Sequence, residues 1–249
     1  RLVVWAIDSG RVLAEFACPL DQDAAYSIRD DGRFLAFGVW ANGGAILNVD
    51  QQSIQLAEPI PYTLHGPPPT PTFDRSGTVT RIGGRAFDTL SARPVGWGFA
   101  PDHVWQIAHE SAACVAVASW RRRCVDLIYP DRSQPNRRLP GLRSHATSLA
   151  FSPDGQRLAG ADYTGSVLVW DVRLGLVFRG FPDFATALVF SHDASRLAAC
   201  TSRGPVEWDV DSGGPRTLSQ LPIYGYQIAY SPDGSVIASA DGLRRVRIW

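Results

Sequence analysis

One pattern of about thirteen residues returns along the chain. "LAFSPDGQRLAGA" (149–161), "LVFSHDASRLAAC" (188–200) and "IAYSPDGSVIASA" (228–240) each place an apolar run, a four-residue turn and a second apolar run in the same order. Weaker copies stand at "SIRDDGRFLAFG" (27–38) and "PTFDRSGTVTRIGG" (71–84), while "WQIAHESAACVAVAS" (105–119) keeps the runs and loses the Asp-Gly turn. Short apolar runs bounded by Ser, Pro, Asp and Gly are strand–turn–strand units. Asp and Ser side chains bond the turn backbone, and Gly supplies positive φ. The first strands end at Ile28, Phe73, Ile107, Phe151, Phe190 and Tyr230, so successive units are 45, 34, 44, 39 and 40 residues apart. A unit this small cannot bury its own apolar faces and must stack on its neighbours.

A third strand follows each well-formed pair, as in "SVLVWD" (166–171), "PVEWD" (205–209), "RVRIW" (245–249) and the degenerate "AILNVD" (45–50). A fourth follows in "RVLAEF" (11–16) and "GLVFRG" (175–180). Four short strands per period, with almost no helical periodicity, predict an all-β fold: a β-propeller of four-stranded antiparallel blades. Six units show strands a, b and c, and a c–d pair, "RLVVW" with "RVLAEF", precedes them. An open ring would leave edges that invite aggregation. The simplest closure is seven blades, with the missing strands before Arg1 and after Trp249. Residues 1–249 then read as a single propeller domain, a segment of a longer chain, and the absence of Met agrees with that.

These features resemble the WD-repeat family of β-propeller proteins, in a bacterial-type form with divergent repeats. His145, the "FSPDG" turns, Trp170-Asp171 and Trp208-Asp209 carry the resemblance. It covers the whole chain, is strongest over 145–249, and is weakest over 57–140, where the Trp-Asp pair is missing. It implies an Asp-His-Ser-Trp hydrogen-bonded tetrad in which His145 and Trp170 match and Thr164 stands where the turn aspartate is expected. It also implies that the d–a and b–c loops share one face and that the domain serves as a docking platform.

Composition narrows the chemistry. Basic and acidic residues balance at 24 each, so no overall field draws the chain to nucleic acid, and nucleic acid is not an expected partner. Every basic residue is Arg, which excludes the lysine of a phosphate-binding loop. The longest apolar run, "AACVAVASW" (112–120), is too short for a membrane span. Cys18, Cys114, Cys124 and Cys200 form no Cys-x-x-Cys pair. Cys114 and Cys124 could face each other across a hairpin, but reduced core thiols are the preferred reading, and with them a cytoplasmic location.

The motifs that suggest catalysis dissolve on inspection. "DVDSGGP" (209–215) resembles the loop around a protease nucleophile. Repeat phase, however, places Ser212-Gly213-Gly214 at a c–d turn, the phase that Asp8-Ser9-Gly10 occupies in the first unit. A catalytic serine needs a histidine placed by a carboxylate, and the nearest in sequence, His192, sits in an a–b turn. Asp209 to Gly214 resembles the start of a calcium loop whose twelfth position is Gln220 rather than Glu. "GWGFAP" (96–101) lacks the third glycine of a dinucleotide site. His65, His103, His109, His145 and His192 show no metal-ligand spacing. "PPPTPTF" (67–73) reads as the lead into an edge strand, although it would also suit a proline-binding domain. The chain is thus expected to be no enzyme and to use no cofactor or metal.

What remains is a surface. The b–c turns carry Trp40, Trp120 with Arg121, Arg122 and Arg123, Tyr163, Arg203, and Arg244 with Arg245. Trp, Tyr and Arg dominate protein–protein hot spots. Segment 103–145 holds seven Arg against one Glu and two Asp, which suits a protein partner with an acidic surface. The expected role is a protein–protein interaction scaffold or sensor module of a larger signalling or assembly protein. The alternative is a propeller accompanying or gating an enzyme, such as a prolyl-oligopeptidase-like hydrolase, whose repeats also carry "SPDG".

Overall fold

A computed structural model describes residues 2–5, 9, 11–16, 25–29, 31–39, 43–57, 71–73, 76–82, 85–98, 108–110, 114–119, 123–129, 134–219, 225–231, 233–241 and 245–249. Among them there is no helix. The chain divides into two compact units, Arg1–Glu110 and Ser111–Trp249.

In the first unit β1 (Leu2–Trp5) and β2 (Val12–Phe16) form a hairpin. A four-stranded meander follows: β3 (Ala25–Ile28), β4 (Phe34–Val39), β5 (Gly43–Asn48) and β6 (Ser53–Ala57). A second meander comprises β7 (Thr72–Phe73), β8 (Val79–Ile82), β9 (Arg85–Asp88) and β10 (Pro94–Gly98), and β11 (Ala108–Glu110) ends the unit. "GWGFAP" therefore begins inside β10 and is no glycine loop. Strand β11 lies just beyond Ile107, where sequence alone ended that repeat's first strand.

The second unit opens with β12 (Val115–Ser119), β13 (Cys124–Ile128) and β14 (Arg137–Leu139). Then come β15 (Ala146–Phe151), β16 (Arg157–Asp162), β17 (Val167–Asp171) and β18 (Leu176–Phe181). The next sheet is β19 (Ala185–Phe190), β20 (Arg196–Thr201), β21 (Gly204–Asp209) and β22 (Pro215–Thr217). A three-stranded sheet closes the chain: β23 (Gly225–Tyr230), β24 (Ile237–Asp241) and β25 (Val246–Ile248). All these pairings are antiparallel.

The middle strands are apolar at consecutive positions because both faces of their sheets are buried. Side chains alternate across a strand, so neighbours enter different clusters. From β20, Leu197 and Ala199 join Phe181, Phe190 and Trp208, while Ala198 and Cys200 join Ile228 and Ile237. In β4 and β5, Leu35, Phe37 and Leu47 pack with Phe16, whereas Phe34 and Ile46 pack with Ile82 and Phe87. Each fully buried leucine, Leu158 and Leu197 among them, contributes roughly 1.5–3 kcal/mol relative to exposure.

Hydroxyls on the first strands stitch consecutive sheets together. Thr147 Oγ1 donates to the Ala185 carbonyl (2.6 Å), Ser148 Oγ accepts from Leu188 N (3.1 Å), and Thr186 Oγ1 donates to the Gly225 carbonyl.

The a–b turns share one device. Ser152 Oγ donates to Asp154 (2.5 Å) and accepts from Arg157 N (2.9 Å), and the Ser191–Asp193 and Ser231–Asp233 pairs repeat the arrangement. The c–d turns use another. Asn48, Asp88, Asp171 and Asp209 each accept the backbone N–H three residues on. Register makes Asn48, not Asp50, the counterpart of Asp171, because Phe34 faces Asn48 as Arg157 faces Asp171. Leu47 and Phe87 accordingly take the place of Trp170, so the "AILNVD" alignment shifts by two residues.

At the Ser212 turn, Asp209 accepts from both Ser212 N and Ser212 Oγ (2.7 Å each), and Gly213 adopts φ 79°. The hydroxyl is bound to a turn carboxylate, and the segment is the c–d hairpin that repeat phase predicts. Cys114, Cys124 and Cys200 are buried and form no disulfide among the described residues. Cys124 lies opposite Ser119, at the other end of the hairpin from Cys114, so those two do not face each other. Cys18 lies outside the described residues.

Candidate functional site

The b–c turn between β16 and β17 is closed by Asp162, whose side chain is fully buried. Its Oδ1 accepts Thr164 N (2.9 Å), Thr164 Oγ1 (2.8 Å) and Ser166 N (3.1 Å), and its Oδ2 accepts Arg143 N (2.9 Å). Burial by itself would raise the pKa of this carboxyl, but the four donors outweigh it and hold the group below its ordinary value. The turn aspartate is therefore Asp162, and Thr164 is one of its donors. Expecting it at Thr164 missed because the carboxylate reaches back from the end of β16 rather than sitting at the turn's tip.

The other sheets fill this position differently. Thr201 donates to the Gly204 carbonyl (2.7 Å) and accepts Arg203 N (3.2 Å), and Asp241 accepts Arg245 N (3.0 Å). The tryptophans differ as well. Trp249 Nε1 donates to Ser239 Oγ (3.0 Å), whereas Trp170 Nε1 donates to the Pro140 carbonyl (2.7 Å). The residue of β16 matching Ser239 is Gly160, where a Cβ would lie 2.8 Å from the Trp170 ring.

On the Asp162 turn stands Tyr163, 62% exposed. Its N–H donates to the His145 carbonyl (3.1 Å). Its ring stacks on the His145 ring at 5.0 Å and meets Phe184 edge-on at 5.7 Å. His145 Nδ1 lies 3.2 Å from Ser144 Oγ. Burial lowers the His145 pKa, the Asp162 charge opposes that shift, and the nearby Arg123 charge adds to it. The imidazole is thus a neutral aromatic platform at neutral pH. Ser202 N donates to the Phe184 carbonyl (3.3 Å), which ties the Arg203 turn to the same cluster.

The charge around this cluster is cationic. Arg123, Arg143 and Arg203 are all exposed, and no described residue offers their guanidinium groups a hydrogen bond or ion pair. Of the nearby carboxylates, Asp162 is saturated and Asp183 accepts the Phe184 N–H (2.9 Å). Several arginines elsewhere in the unit are engaged: Arg157 pairs with Asp211 (2.8 Å), and Arg196 and Arg216 pair with the buried Glu207 (3.3 and 3.5 Å).

Of the docking residues expected from sequence, the structure places Arg123, Tyr163, Arg203 and Arg245 at b–c turns. Trp40, Trp120, Arg121, Arg122 and Arg244 lie outside the described residues. Sequence reasoning missed Phe184 as a site residue and assigned His145 only a structural role. Among the described residues, no three His, Cys, Asp or Glu side chains gather as a metal site would require, and no helix is long and apolar enough to cross a membrane.

A family model described as "WD domain, G-beta repeat" matches residues 134–171 and 223–249. No curated protein matches the chain.

Proposed function

We propose, from the premise that this is a WD-repeat protein and that such repeats generally mediate protein–protein interaction, that the chain is a non-catalytic docking module. Its partner seats on the turns around Tyr163 and presents an acidic surface. The observation that carries this reading is the held exposure of Tyr163. A tyrosine that is 62% exposed yet fixed between His145 and Phe184 presents apolar area with little rotamer entropy left to lose on binding. Arg123, Arg143 and Arg203 supply charge that no described neighbour neutralises, which favours an acidic partner and steers its approach. The module fits within a larger signalling or assembly protein as scaffold or sensor.

The test is site-specific crosslinking. A photoreactive phenylalanine analogue at position 163 should capture a partner that the same group at Ser212, on a c–d turn, does not. With that partner purified, Tyr163→Ala should weaken binding by about 1–3 kcal/mol. Equal capture from both positions, or unchanged affinity of the alanine variant, would refute the assignment.

A further inference from the structure

The Arg203 turn opens onto a groove that the Tyr163 cluster does not occupy. It has a volume of about 620 Å³, within the usual range of ligand sites. Its floor is Val206 and Trp208 of β21, and the Trp208 ring is held by stacking on Phe181 at 4.8 Å. Pro182 forms one wall, and Pro215 and Thr217 of the exposed β22 form the other. Arg203 stands at the end nearest the b–c turn.

We infer that this groove holds an extended peptide segment of the partner, with an acidic side chain on Arg203 and an apolar side chain over Val206 and Trp208. The inference rests on the docking reading above and deepens it. Charge complementarity selects the occupant. The Arg203 guanidinium is exposed and has no described acceptor, and the one carboxylate lining the groove, Asp183, accepts the Phe184 N–H rather than pairing with Arg203. A carboxylate there gains a charge-assisted hydrogen bond that the free protein lacks. The floor offers no charged group, so the neighbouring side chain must be apolar. The groove follows β21 and β22, and an extended segment can place both side chains along that line.

The probe is an array of immobilised peptides in a Ser-Gly background. Each carries one Leu, Phe or Trp and one Asp or Glu at varied spacing, beside matched peptides with Arg in place of the acid. Acidic–apolar peptides should be retained at least tenfold more tightly than their Arg counterparts. Arg203→Glu should reverse that preference. Thr217→Trp, an exposed substitution that fills the groove mouth, should abolish retention, while Leu174→Ala, at an exposed c–d turn of the preceding sheet, leaves it unchanged.

The inference is overturned if no peptide exceeds the background, if both groove variants bind like the parent, or if Tyr163→Ala alone removes binding. It is equally overturned if the chain self-associates in light scattering and Thr217→Trp disperses it, since the occupant would then be a second copy. Should the crosslinking test fail while the array responds to Thr217→Trp, the groove stands and only the Tyr163 surface falls.

Discussion

The imidazole of His145 lies beneath the ring of Tyr163, with centroids 5.0 Å apart and planes inclined by 28°. The exposed tyrosine thus rests on the ring of a half-buried histidine. Burial holds the His145 pKa below its ordinary 6.5. Above that value the group is neutral in both folded and unfolded chains and costs nothing. As pH falls below it, the unfolded chain takes up the proton first and stability is lost until the folded-state pKa is reached. Denaturant midpoints measured between about pH 7.5 and 5 should therefore fall more steeply for the parent than for His145→Gln. Parallel curves would show that the histidine does not report its burial.

Asp162 satisfies four donors from three residues, and none of the backbone donors has another acceptor in the turn. Asp162→Ala should cost about 2–4 kcal/mol, because buried N–H groups are left unpaired. Asp162→Asn, which keeps an acceptor, should cost less. Tyr163→Ala should shift stability by only about 0.5 kcal/mol, as an exposed side chain does. Thermal unfolding of the three variants checks the order.

Gly160 is required by packing rather than by its own backbone. A methyl group there would lie 2.8 and 2.9 Å from Trp170 ring carbons and 3.0 Å from Leu149, in a core where the tryptophan is fully buried. Gly160→Ala should destabilise by about 1–3 kcal/mol through overpacking. A melting temperature equal to the parent's would mean that the ring can move aside.

Ala194 adopts φ 59° in an a–b turn where the neighbouring repeats place Gly155 and Gly234, both at φ 70°. A left-handed alanine is strained by its Cβ, and glycine relieves that strain at some entropic cost. Ala194→Gly should stabilise by about 0.5–1 kcal/mol, measured by chemical denaturation. Destabilisation would show that the chain entropy of glycine outweighs the strain.

The repeat period, the strand order within each sheet and the assignment of Ser212 to a turn were all legible in the sequence. Each rests on contacts within a few residues: Ser152 with Asp154 and Arg157, Asp209 with Ser212. Local chemistry of this kind is written at fixed offsets, so a linear reading finds it. Even there, side-chain reach hid Asp162 behind Thr164, and an unassigned strand register hid Asn48 behind Asp50.

Tertiary structure alone decided which residues meet across sheets. Tyr163 reaches Phe184 because the b–c turn of one sheet abuts the connection to the next. Trp208 floors a groove because Phe181 stacks on it from the preceding sheet. Arg203 has no acceptor among the described residues, while Arg157 finds Asp211, 54 residues away. Those pairings follow from how twisted sheets pack and which turn lands beside which. No residue offset in the chain encodes that, so the contact of Tyr163 with Phe184 and the groove over Trp208 became visible only when the strands were placed in space.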